Sequence, residues 1–114
     1  MDPIPLARFE QLVGDAMDRI PDDLFDHLDN VAILVDDRHE DEPDLLGIYE
    51  GIPLTERDHW GVDQPDVIRI FRLALCDFCE DEEELVDEVH VTVVHEVAHH
   101  LGIDDDRLHE LGWA

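Results

Sequence analysis

Residues 82–102, EEELVDEVHVTVVHEVAHHLG, constrain the fold more than any other stretch of the chain. Six valines lie between Val86 and Val97, and β-branched side chains are stiff at χ1, so VHVTVV read alone predicts a strand. Its surroundings argue for a helix. Asp81 and Glu84 have capping-box-like spacing ahead of an apolar run, acids crowd the first turn, and Gly102 stands where a helix needs its left-handed terminus. Leu85, Val89, Val93 and Val97, joined by Val86, Val94, Ala98 and Leu101, give a wide apolar stripe at the helical period, which predicts a long, mostly buried helix.

The preceding segments supply the rest of an α/β fold. Leu6, Phe9, Val13, Ala16, Met17 and Ile20 recur at helical spacing between Pro3/Pro5 and Pro21, predicting an N-terminal amphipathic helix. Residues 21–28 (PDDLFDHL) can form a short helical turn. Residues 31–35 (VAILV) make an apolar run too short for a helix and predict a buried strand, and residues 45–49 (LLGIY) predict a second before the turn chemistry of Gly51 and Pro53. In residues 67–75 (VIRIFRLAL) the opening alternation predicts a third strand. DDRHEDEPD (36–44) reads as a surface loop and CDFCEDEEE (76–84) as an acidic link.

At 114 residues the chain is expected to form a single domain. Thirty-two acidic residues against seven arginines give a net charge of −25, which repels phosphate backbones and anionic lipid surfaces. Nucleic acid and membranes are therefore not expected partners. A solvated, highly soluble surface explains such acidity most simply. No signal-peptide pattern opens the chain, no segment reaches the roughly twenty apolar residues of a membrane span, and two cysteines make no disulfide framework, so a cytoplasmic location is expected.

Chemistry concentrates in His95-Glu96-Val97-Ala98-His99. Residues four apart on a helix share a face, so His95 and His99 can offer ring nitrogens to one metal ion. Glu96, about 100° round the helix, can hold a water beside that ion without ligating it. This is the pattern of zinc-assisted hydrolysis, in which the carboxylate takes the water's proton and passes it to the leaving amine.

A catalytic zinc needs a third protein ligand. Only fifteen residues follow His99, too few for a returning helix to bring a glutamate back, and Glu110 is the only glutamate among them. In the pattern H-E-x-x-H-x-x-G-x-x-H the glycine turns the chain so that the residue three positions on reaches the metal. Gly102 matches that glycine, and the position holds Asp105. Asp104 and Asp106 are near alternatives, with His100 and His109 as further competitors. An N-cap role for the aspartates ahead of a final short helix, DDRLHELG, is compatible with one of them binding metal.

These residues resemble the minimal zincins, small bacterial zincin-like metallopeptidase-domain proteins. The likeness runs through HEVAHHLGIDDDRLHELG and is supported by NVAILVDD, LLGIYEGIPL and PDVIRIFR, so it covers nearly the whole chain. It implies a compact α/β (α+β) domain with a small mixed sheet, His95 and His99 as metal ligands, Glu96 as catalytic glutamate and Asp105 at the third-ligand position. Metzincins also carry a methionine turn downstream of the motif, whereas Met1 and Met17 both lie upstream, so that wider likeness stops at Gly102.

The resulting expectation is a zinc-dependent metallopeptidase acting on a peptide or protein substrate laid along a sheet edge. The alternative is a non-catalytic module that keeps zinc for folding or partner binding; an accessory protein that acts by attracting cations is a third. Cys76-x-x-Cys79 lacks a second sulfur pair, which argues against a metal or redox site. Tyr49 reads as a packed aromatic at a strand end, with oxyanion stabilisation as its chemical alternative. His59, Trp60 and Trp113 read as packing residues or cleft lining.

Overall fold

In the computed structural model of this protein, residues 1–20, 22, 31–50, 66–104, 106, 107 and 110 are described. The 20-residue helix Glu82–Leu101 (α3) organises them. Its start is fixed by Asp81, whose Oδ1 accepts the Glu84 N–H at 2.8 Å, while the Glu84 carboxylate reaches back to the Glu80 N–H at 3.2 Å. This is the anticipated capping exchange, moved one residue outward. At the other end Gly102 has φ 74°, and N–H groups of Gly102 and Ile103 bond the carbonyls of His99 and Ala98. That closure needs a left-handed residue, which glycine adopts without a Cβ clash.

The valines form a helix because tertiary burial outweighs propensity. Leu85, Val89, Val93 and Val97 are fully buried. One side of α3 packs on the N-terminal helix Leu6–Asp18 (α1) through Phe9, Leu12, Val13 and Ala16, and another on the sheet. Leu6, expected on the apolar face of α1, is instead 47 % exposed in the first turn.

Three strands complete an α+β architecture: Val31–Asp36 (β1), Gly47–Glu50 (β2) and Asp66–Phe71 (β3). Their order is β1-β3-β2, with β1 parallel and β2 antiparallel to the central β3. Register puts Val31, Ile33 and Val35, Ile68 and Ile70, and Gly47 and Tyr49 on the face that meets α3. On the opposite face Arg69 bridges all three strands, 2.7 Å from Asp36 and 2.9 Å from Glu50. Each half-exposed pair contributes at most about 1 kcal/mol, so this bridge tunes the register while the buried isoleucines drive it.

Two expectations change. The VAILV strand lies at the sheet's edge, and Leu34, on the face away from the helices, is 42 % exposed rather than buried. The third strand stops at Phe71, and the expected strand tail and acidic link give a helix, Arg72–Phe78 (α2). Alternation fails after Arg72: Ala74, Leu75 and Cys76 are consecutive and all buried, which a surface strand cannot achieve but a helix wedged beside α3 can. The expected turn at residues 21–28 lies outside the described residues apart from Asp22.

Cys76 and Cys79 are free and buried. Burial, with Glu84 and Glu88 nearby, pushes the Cys79 thiol up to about 11, so it stays protonated at neutral pH and lacks thiolate nucleophilicity. Native protein at pH 7.5 is expected to resist labelling by a thiol-disulfide reagent, with two equivalents reacting in denaturant; rapid native labelling would contradict this burial. No described helix is long and apolar enough to cross a membrane.

Candidate metal centre

The C-terminal half of α3 faces β2 across a cleft of about 800 Å³, within the usual range for ligand sites. His95, Glu96 and His99 form one wall; Gly47, Ile48 and Tyr49 form the other, and Leu45 and Ile103 add apolar surface. Gly47 sets how closely the walls approach. A Cβ there would lie 2.7 Å from Thr92 Cγ2, 3.3 Å from the Arg69 carbonyl oxygen and 3.4 Å from Glu96 Cγ. The absence of that side chain lets the motif helix press against β2.

The helix brings His95, Glu96 and His99 together. One ligand atom from each falls within 4.8 Å of the others, and the two imidazole centroids are 4.5 Å apart. Glu96 is buried, with an oxygen 3.2 Å from His99 Nδ1, whereas the His99 side chain is 42 % exposed. Two imidazoles suit zinc as ligands, and the carboxylate beside them is placed to hold a water.

Among the other candidates, Asp105 and His109 lie outside the described residues, as do His59, Trp60 and Trp113. Asp104 lines the cleft, but its Oδ1 also accepts the Arg107 N–H at 2.8 Å, the expected capping role. Glu110 is paired with Arg107 at 2.9 Å. His100 is fully buried, its Nδ1 2.7 Å from Asp66 Oδ2, and so points away from the cleft. The Tyr49 hydroxyl donates to that same Asp66 oxygen at 2.5 Å. Its single proton is committed there, which favours the packed-aromatic reading over oxyanion stabilisation. Sequence reasoning did not find Asp66: an aspartate opening a strand reads as turn chemistry, and only the fold places it beneath α3.

A family model described as zincin-like metallopeptidase matches residues 28–113. The chain belongs to this family. Among solved structures, this zincin-like chain is similar to a conserved hypothetical protein from Thermo thermophilus, with a TM-score of 0.62 at 22 % identity over 86 % of this chain and 94 % of that one. That likeness concerns the fold, a small mixed sheet with helices packed on it. No protein of curated function matches the chain in sequence.

Proposed function

We propose that this zincin-like protein is a zinc-dependent metallopeptidase in which His95, His99 and Asp105 hold the metal and Glu96 is the general base. The observation that carries the reading is the His95–Glu96–His99 cluster, with a ring nitrogen of each histidine and a Glu96 carboxylate oxygen within 4.8 Å of one another, in the wall of a cleft. When bound, zinc supplies a Lewis acid that polarises a carbonyl and acidifies water. The chain's own residues do the rest. Glu96 accepts the proton of the attacking water on a carboxylate oxygen and returns it to the leaving amine nitrogen. Its buried setting keeps that oxygen close to the motif's histidines. Among the described strands β2 lies at the edge of the sheet beside the cleft, where its backbone offers a peptide a partner for strand addition, which supports an extended peptide as substrate.

The ligand assignment is tested by measuring zinc content and affinity in the parent and in Asp105→Ala. Loss of one of three protein ligands is expected to remove most of the affinity at neutral pH, and retention of full affinity would move the third ligand elsewhere. Parent protein that binds zinc yet cleaves nothing in a broad peptide library would leave the metal site standing and overturn the peptidase assignment.

A further inference from the structure

Asp66 is the first residue of the central strand, is 6 % exposed, and faces α3. Its Oδ2 accepts hydrogen bonds from His100 Nδ1 at 2.7 Å and from the Tyr49 hydroxyl at 2.5 Å. The Tyr49 and His100 rings also pack against each other, with centroids 5.7 Å apart. One oxygen therefore joins β2, β3 and α3, the elements that set the shape of the cleft.

Most of the inner face of α3 is aliphatic, with Leu85, Val89, Val93 and Val97 all fully buried; Thr92 and Glu96 are also buried, and His90 meets the Ala16 backbone of α1. Aliphatic packing is non-directional, whereas a hydrogen bond is satisfied only over a narrow range of distance and angle. Consecutive helical residues point about 100° apart, so a clamp on His100 determines where His99 points and, one turn earlier, where His95 points. We propose that Asp66 is a positioning residue: by gripping His100 and bracing it with Tyr49, it fixes the rotation of α3 so that His95 and His99 face the cleft. The inference rests on the reading of those two histidines as metal ligands. It assigns Asp66 no contact with substrate.

The test compares Asp66→Asn, His100→Leu, His100→Asn and a core control, Val93→Ala, in three measurements. These are stability, zinc affinity with the visible spectrum of the cobalt(II) form, and the His95 and His99 ring resonances of metal-free protein. In Asp66→Asn an amide nitrogen can face two donors, and affinity is expected to fall about 10–100-fold with an altered cobalt spectrum and shifted ring resonances. His100→Asn restores an N–H near the position of ring Nδ1 and is expected to recover much of what His100→Leu loses. Val93→Ala is expected to lose stability but keep the parent's affinity and spectrum.

The proposal is overturned if folded Asp66→Asn keeps the parent's affinity, spectrum and ring resonances. It is equally overturned if Val93→Ala loses as much affinity as Asp66→Asn at matched stability. Should Asp66→Asn fail to fold, the two His100 variants decide the matter, equal affinity in both sinking the clamp. Parent protein that binds no zinc would overturn the metal reading itself, and the metal-free ring resonances would then settle whether Asp66 orients these histidines.

Discussion

In Glu96→Gln, zinc is expected to remain at the parent's stoichiometry while peptide hydrolysis falls about 10²–10⁴-fold, the range of a general base's contribution. Glutamine has nearly the same shape as glutamate, and the buried slot beside Thr92 and Gly47 should accept it without opening a cavity. Its amide can still meet His99 Nδ1, now 3.2 Å from the carboxylate, so the imidazoles stay where they are. What is lost is a basic oxygen. Parallel zinc titration and turnover on a peptide substrate check this. If zinc leaves together with activity, Glu96 is a ligand rather than the base; if activity survives, the proton goes elsewhere.

Gly47→Ala is the structural counterpart and is expected to cost about 1–3 kcal/mol as overpacking. The new methyl meets Thr92 Cγ2 at 2.7 Å. A helical threonine has few χ1 choices, and the Arg69 carbonyl oxygen at 3.3 Å blocks retreat on the other side. Lower chain entropy in the unfolded state returns about 0.4–1 kcal/mol, which is smaller than the clash. The strand must then move away from α3, widening the cleft at Glu96. Denaturant midpoints of Gly47→Ala, Thr92→Ser and the double variant form a cycle. Serine lacks Cγ2, so the double variant is expected to recover most of the loss, with a coupling of about 0.5–3 kcal/mol. Simple additivity of the two substitutions would show that this contact does not set the spacing.

How much of this was legible follows from the range of each signal. The α3 boundaries were readable because Asp81, Glu84 and Gly102 act within a few residues of where they stand. Spacing alone put His95, Glu96 and His99 together, since a helix returns to the same face after four residues. The break at Arg72 was not readable. VIRIF and RLAL are both apolar enough for a strand, and the choice was made by the space beside α3, where consecutive buried residues fit only a helical turn. Likewise, the exposure of Leu34 depends on the described helices covering only the other face of the sheet, a property of packing rather than of VAILV itself.

By itself the sequence determined the helix, its caps, the strands' hydrophobic pattern and the placing of His95 and His99 on one helix face, because each is a periodic or near-neighbour relation along the chain. Only the tertiary structure decided that Gly47 marks the closest approach of strand to helix. Only it showed His100 turning inward to Asp66 while the adjacent His99 lines the cleft. Those outcomes depend on residues 34 and 45 positions apart meeting across the core. Local propensity carries no information about such meetings; packing and buried hydrogen bonds select them once the elements assemble.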